Sequence, residues 1–391
     1  MVEGDGENHC AVTRLDVQII GAGPAGLMAA EVLAKGGAAV TIHDHMAAPA
    51  RKFLLAGRGG LNLTHSEPLE SFLDRYGEAR AFLEPAIRAF PPEALIAWSN
   101  GLGIETFVGS SGRVFPKCMK ASPLLRAWLK LLDGLGVKLH TRSRWPGFDD
   151  RPTILAMGGA SWPHLGSDAQ WVPVLQAAGI TVNPFKPANS RFLVNWSRVF
   201  RERFAGTPVK NVALTYAGHR VRGEVMISSE GIEGGAIYAL SKGMRETPGH
   251  PLHVDLRPDL TIEALAARLA RPRRKDTQSN YLRKVAGLSP VAISLLRETA
   301  TAMDATGIKA VAVQILRPAG IARAISSAGG IAREEMDENF QLRKRPGTYA
   351  VGEMLDWEAP TGGYLLQACF STAVAAAKAL LAQTTSTAAS P

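Results

Sequence analysis

Cysteine is scarce in this chain. Only Cys10, Cys118 and Cys369 occur in 391 residues, far apart and in no CxxC or other zinc-ligand spacing. Neither a disulfide framework nor a structural metal site is expected. So few thiols fit a reducing, cytoplasmic compartment. Long uncharged apolar runs are also missing. No 18-residue stretch is free of both charge and glycine, which argues against a membrane-spanning helix. The opening residues, MVEGDGENHC, are acidic and polar, the wrong charge for a secretory signal. Acidic residues are in mild deficit: 35 Asp and Glu face 44 Lys and Arg, a net charge of +9. That excess reads either as general solubility or as a bias towards an anionic partner, nucleic acid included. No internal repeat and no long low-complexity linker is visible.

What is present is an alternation of strand and helix patterns. Residues 16–20 (DVQII) form a short apolar strand ending in glycine. Residues 27–35 carry a helix pattern, and residues 38–43 (AAVTIH) a second strand followed by Asp44. This is a βαβ unit of about 30 residues. Residues 124–135 have apolar spacings of three and four, an amphipathic helix. Residues 152–157 make another strand that runs into Gly158. Between 192 and 254 short alternating runs separated by turn residues point to antiparallel β structure. Residues 258–317 read as helical and include the basic segment ARPRRKDTQSNYLRK. Strand, glycine loop and a long Ala-rich helix follow from Gly347, with a frayed tail expected over the last nine residues.

The stretch IIGAGPAGL holds Gly21, Gly23 and Gly26 in a G-x-G-x-x-G pattern between strand and helix. The first glycine permits the tight turn, the second lets a pyrophosphate approach the backbone, and the third lets helix and strand pack closely. The helix N-terminus offers free N–H groups and positive dipole to the phosphates. Asp44, 18 positions after the third glycine, is placed to accept ribose hydroxyls and disfavours a 2′-phosphate there. The pattern predicts a site for the ADP half of a dinucleotide. Three further runs favour FAD over NAD: ILAMGGASWP after a strand, TYAVGEMLDW with Asp356, and TGGYLLQA with two glycines at a helix start. Free N–H groups at that helix start suit the pyrimidine end of a flavin, where charge builds up on reduction.

Those runs, with RKFLLAGRGGLNLTHSE and GEMLDWEAPTGGYLLQ, resemble the HI0933-like (BaiN/YhiN-type) family of NAD(P)/FAD-dependent oxidoreductases, in its shorter branch. The likeness is spread over residues 16–66, 110–168, 186–240 and 325–378. It implies an α/β fold, with a Rossmann-like FAD domain of the two-dinucleotide-binding type built from both chain ends. An inserted antiparallel β-barrel and a small helical region would interrupt it. The expected boundaries are 1–188 and 319–391 for the FAD domain, 189–257 for the β-rich insertion and 258–318 for the helical region. By the same resemblance Gly21, Ala22, Gly23, Gly26 and Asp44 hold the ADP moiety. Arg51 and Lys52 precede the loop of Gly57, Gly59, Asn62 and Thr64 that lies along the flavin. Gly158 touches cofactor backbone. Gly352, Asp356, Gly362, Gly363, Tyr364 and Gln367 serve the ribityl and isoalloxazine end. The chain departs from the commoner family loop at Arg58 and Leu61, and has Trp162-Pro163-His164 where a Tyr-Pro-Lys run is common.

Flavin supplies the hydride chemistry, and the protein supplies a proton donor or acceptor and orients the substrate. Candidates near the expected flavin face are His164, Arg58 and Lys120. Each has a plainer alternative: a loop histidine, a loop arginine and a surface lysine. Cys369 and the tryptophans Trp98, Trp128 and Trp145 read as packing residues. The resemblance implies reduction of conjugated C=C bonds, with bile-acid intermediates or ribosomal RNA uridine as substrates in different branches, and C–N oxidation in others. NAD(P)H is expected to visit the flavin transiently, since no second G-x-G-x-x-G opens a helix. A small molecule and RNA both remain as substrate classes. The other reading is an RNA- or ribosome-binding protein that keeps FAD for structure.

Overall fold

A computed structural model describes residues 14–387; Cys10 lies outside the described residues. The central sheet has five parallel strands. Their order is Thr348–Ala350, Thr153–Leu155, Asp16–Ile20, Ala39–Asp44, Lys138–Thr141. The opening strand sits at the centre because its residues are apolar on both faces: Val17, Ile19 and Ile20 are all buried. The strand Thr348–Ala350 is supplied more than 300 residues later and pairs with Thr153–Leu155 in parallel register. The first and last parts of the chain thus share one sheet.

Two helices cover that sheet. The first, Pro24–Lys35, packs against the C-terminal helix, Tyr364–Thr387. Small side chains make the close approach: Ala29 and Ala30 on one helix, Ala373, Ala376 and Ala377 on the other, all fully buried. The C-terminal helix meets the length and hydropathy of a membrane span over Tyr364–Gln383, but 56% of that window is buried inside the protein. Its apolarity belongs to a core helix. The helix continues to Thr387, so it takes up part of the expected frayed tail; residues 388–391 lie outside those described.

A second core is built from residues 192–313. Six antiparallel strands form its sheet, in the order Val311–Val313, Leu252–Asp255, Pro208–Tyr216, His219–Ile227, Gly231–Glu233, Phe192–Leu193. The chain beyond Val313 returns to the opposite edge. Leu193 N donates to Arg317 O at 2.9 Å, Leu316 N to Leu193 O at 3.0 Å and Ala319 N to Arg191 O at 2.8 Å. These bonds join the two edges and curl the sheet towards a barrel. Strand and helical parts of the insertion share this single core, and the stretch read as helical contributes an edge strand.

A small three-stranded sheet, Thr64–His65, Arg113–Pro116, Thr106–Val108, stands beside the flavin-type loop. Strands Val182–Ala188 and Ser326–Ile331 pair as a two-stranded ribbon joining the two cores.

Candidate flavin site

The cleft opens at the carboxyl ends of the central strands, where open α/β sheets bind ligands. It is lined by Gly21, Gly23, Asp44, Arg51, Lys52 and Gly158, all singled out in the sequence. Gly21 has φ +105°, and a Cβ on it would lie 2.4 Å from Ala156 O. A Cβ on Gly26 would fall 1.9 Å from Gly21 O, so helix and turn touch through that position. At Gly23 nothing lies within 4 Å of a Cβ position, which leaves the backbone open to a ligand. Gly23 caps the helix Pro24–Lys35 without any side-chain bond, so the first-turn N–H groups stay free.

Asp44 is buried, and both its oxygens accept backbone N–H bonds at 2.7 Å, Oδ2 from Ala22 and Oδ1 from Met46. It therefore holds the glycine turn in shape, and the remaining lone pairs are the ones left for a ribose. Lys52 joins the two chain ends. Its Nζ donates to Ser161 Oγ and Glu353 Oε2, both at 2.6 Å. Gly352 packs on Ala25 and Cys369, with φ +73°.

Around the loop after Arg51 the expected flavin-end residues also converge. Thr64 Oγ1 donates to Gln367 Oε1 at 2.8 Å, and Gln367 Nε2 donates to Phe90 O at 2.7 Å. A Cβ on Gly363 would lie 2.4 Å from the Thr64 backbone, so this glycine admits the strand beside it. Tyr364 donates through Oη to Glu67 Oε1 at 2.6 Å and stacks on His65. Burial raises its pKa, reinforced by the Glu67 bond. Gly57, Gly59 and Asn62 sit on the intervening turn, and Gly57 abuts Ala121.

Other expected residues stand apart from the cleft. Asp356 accepts from Asn183 Nδ2 at 2.8 Å and lines a second cleft with Arg245, Arg333 and Trp357, so its carboxylate braces the two-stranded ribbon. Its sequence position beside the glycine loop did not reveal that partner. His164 is exposed on a short 3₁₀ turn against Trp162. Lys120 is exposed at the N-cap of the helix Ala121–Gly134. Arg58 lies on the 3₁₀ turn Gly57–Gly59, and its side chain is outside the described part.

Residues not read from the sequence complete the cleft wall. His43 Nε2, Trp145 Nε1 and Ser167 Oγ are buried, lack any hydrogen-bond partner among the described residues, and belong to lining residues. Asn62 Oδ1 is a fourth such atom, in the loop. His43 bonds Ser143 Oγ through Nδ1 at 2.9 Å, and its pKa is lowered by burial and by His140 stacked beside it. A buried polar atom left unpaired costs about 1–3 kcal/mol, a cost that a polar ligand removes. Trp145 looked like packing in the sequence; its ring packs on Phe148, and the residue also lines the cleft. Only the alternation of the second strand, which sets His43 beside Asp44 at the sheet's end, hinted at any of these. The residues fit an adenine dinucleotide: open glycine backbone, a helix N-terminus and unsatisfied polar atoms along one groove.

Comparison with known proteins agrees with this geometry. The model of the HI0933-like protein Rossmann domain matches residues 15–379. Over 405 aligned residues the chain is 25% identical to a ribosomal RNA dihydrouridine synthase of Escherichia coli K12, covering 94% of this chain and 98% of the relative. It is also 25% identical to a 3-dehydro-bile acid delta(4,6)-reductase of Clostridium scindens, covering 93% and 98%. Among solved structures it resembles a 3-ketosteroid delta1-dehydrogenase from Sterolibacterium denitrificans, with TM-score 0.51, 12% identity and coverage of 94% and 99%. The chain therefore belongs to the HI0933-like family and is an FAD-dependent oxidoreductase.

Proposed function

We propose that this protein reduces a carbon–carbon double bond conjugated to a carbonyl group, with FAD held in the cleft just described. The observation that carries the reading is the meeting of both chain ends at one groove with unsatisfied polar atoms. FAD, when bound, supplies two-electron hydride chemistry. Gly21, Ala22, Gly23 and Gly26 present backbone to the pyrophosphate, Asp44 shapes that turn, and Arg51 adds positive charge at the rim. Lys52 and Glu353 close the groove from opposite chain ends. The turn of Gly57, Gly59, Asn62 and Thr64 and the glycine pair Gly362-Gly363 hold the ring end, with Tyr364 and Gln367 locking the two together. Reduction places a hydride on one alkene carbon and a proton on the other. His164, Arg58 and Lys120 are the candidate proton-handling or charge-stabilising residues, and exposed His164 would need the substrate to reach it.

NAD(P)H is the donor this reading assigns, visiting the flavin without a nucleotide fold of its own. Two separate cores support domain boundaries near residues 188 and 319, with strand and helix parts of the insertion as one unit. A cytoplasmic location belongs to the same reading, on the low cysteine count.

A second substrate class has specific support: the E. coli relative is named for uridine reduction in ribosomal RNA, and this chain carries net charge +9. The C5=C6 bond of uridine is itself conjugated to a carbonyl, so the chemistry is shared. The test is anaerobic. Purified yellow protein should bleach with NADH or NADPH and recolour on adding a conjugated enone. A flavin that no reductant bleaches would refute the assignment. Mass spectrometry of ribosomal RNA from a strain lacking the protein separates the substrate classes.

A further inference from the structure

A second cleft, of about 480 Å³, opens where the two cores meet. Tyr76 and Trp357 reach it from the flavin core, Arg245 from the helix Gly235–Glu246 of the inserted core, and Asn183 from the ribbon between them. It shares no lining residue with the flavin groove. The segment after Gly352 stands between the two: Glu353 lines the groove, whereas Asp356, Trp357 and Glu358 line the second cleft. Trp357 Nε1 donates to Gly352 O at 2.9 Å and so fixes that wall.

Most charges on this cleft are matched. Arg245, whose side chain is 6% exposed, holds Glu358 through both terminal nitrogens, at 2.8 and 3.1 Å. Lys186 pairs with Glu246, and Lys242 with Glu78, each at 3.0 Å. Two opposite charges are left over. Arg333 donates through Nε to Asp356 O at 3.0 Å and through Nη1 to Glu78 O at 2.8 Å, both neutral carbonyls. Its Nη2 makes no hydrogen bond, and it has no ion pair among the described residues. Asp356 accepts from a neutral donor, Asn183 Nδ2 at 2.8 Å, and also has no ion pair among the described residues. Arg333 is thus bonded to the backbone of the very residue whose carboxylate lacks a cation. The two charges lie within one residue's length of each other, yet neutral partners hold each of them apart from the other. Both residues are half-buried. A half-buried charge without a counter-ion is costly, and this divided pair lines one cavity.

We propose that the second cleft binds a free α-amino acid with an uncharged side chain, away from the flavin. Such a molecule carries both signs on one carbon, the short spacing that the divided pair requires. Its carboxylate meets Arg333, where two of the five N–H donors are used and the rest remain. Its ammonium meets Asp356. The other charges of the cleft already have partners, so the ligand's side chain brings none. A ligand here touches both cores and the ribbon, and occupancy therefore fixes their relative placement. The site goes beyond the enone-reductase reading and does not depend on it.

The test uses the FAD-loaded, oxidised full chain. Each L-amino acid of uncharged side chain is titrated in turn by calorimetry. At least one should bind, and the same one should raise the melting temperature. Its deamino analogue, a carboxylate alone, and its decarboxylated analogue, an amine alone, should each bind at least about tenfold more weakly. Arg333→Met should weaken the amino acid by about tenfold and leave the amine within about twofold of its wild-type affinity. Asp356→Asn keeps an acceptor for Asn183; it should weaken the amino acid and spare the carboxylate analogue. Lys242→Met removes a paired cation from the same cleft and should change affinity by less than about twofold. FAD content and circular dichroism show that each variant folds. Binding of none of the amino acids overturns the proposal, and so does wild-type affinity in Arg333→Met. Equal weakening by Lys242→Met and Arg333→Met would mean a response to general charge, and would overturn the divided-pair site. Anaerobic bleaching of the flavin by the bound amino acid would overturn the separation from the flavin. Amino-acid binding as expected in a protein whose flavin no reductant bleaches supports the site and counts only against the reductase reading.

Discussion

At the scale of single residues, backbone contacts dictate what the cleft tolerates. Gly26 touches Gly21 O so closely that no side chain fits. Gly26→Ala is expected to push the first helix off the central strand. Purified protein should contain little FAD, measured by absorbance near the flavin maximum after dialysis. Asp44 bonds Ala22 and Met46 in addition to whatever ribose it holds, so Asp44→Ala should both lower FAD content and lower the melting temperature of the flavin-free protein. A loss of FAD with an unchanged melting temperature would mean that the carboxylate acts on ribose alone. Glu31 shows the same kind of multiple duty away from the cleft. It is 3% exposed and accepts from Trp98 Nε1 at 2.9 Å, Trp128 Nε1 at 2.7 Å and Lys35 Nζ at 2.6 Å. Glu31→Ala strands two indole donors, and urea denaturation should show a loss of about 2–5 kcal/mol. The two tryptophans were legible as packing residues, but the buried carboxylate that receives both indoles was not. Nothing in the local pattern of a helix tells which distant side chain meets it.

At the scale of elements, the turn before the C-terminal helix is clamped to the three-stranded sheet. Glu67 accepts from Arg75 Nη2 at 2.7 Å and from Tyr364 Oη at 2.6 Å. Burial works against its charge, but these bonds outweigh it and hold its pKa below the ordinary 4.5. A depressed carboxyl stabilises the fold fully above its unfolded value, and that contribution is lost as pH falls through the folded value. The clamp should therefore be constant from neutral pH down to about 4.5 and weaken below it. Protection factors for backbone hydrogen exchange at residues 362–366, corrected for the intrinsic pH dependence of exchange, should fall below that point. In Glu67→Gln the protection factors of the same amides should depend little on pH over this range. The long Ala-rich helix of this region was legible in the sequence, but the three short strands beside it were not. The clamp was not, because it pairs residues almost 300 positions apart.

At the scale of the whole molecule, the flavin domain is made of two pieces that depend on each other. The strand Thr348–Ala350 and the helix Tyr364–Thr387 complete a sheet and a core begun by residues 16–44. A chain ending at residue 347 would expose the apolar flank of Thr153–Leu155 and of Pro24–Lys35. It should be digested rapidly by protease and bind no FAD, while the full chain resists. A protease-resistant fragment ending there would show that the first piece folds alone. Lys52 and Glu353 are the charged tie across this junction, partly buried at 24% and 14% exposure. Lys52→Met leaves Glu353 facing the groove without its cation, so FAD retention should fall while the fold persists.

The sequence by itself determined the glycine turn and the parallel βαβ start, because those depend on local backbone needs and on short apolar periods; the late return to the sheet and the family were carried by motif runs that resemble known relatives. Tertiary structure alone decided which polar residues line the groove. His43, Trp145 and Ser167 come from three separate segments, and Asp356 turns to Asn183 instead. A side chain's chemistry is written in its own position, but its partner is chosen by where distant strands meet. Burial and unpaired hydrogen-bonding capacity arise only at that meeting.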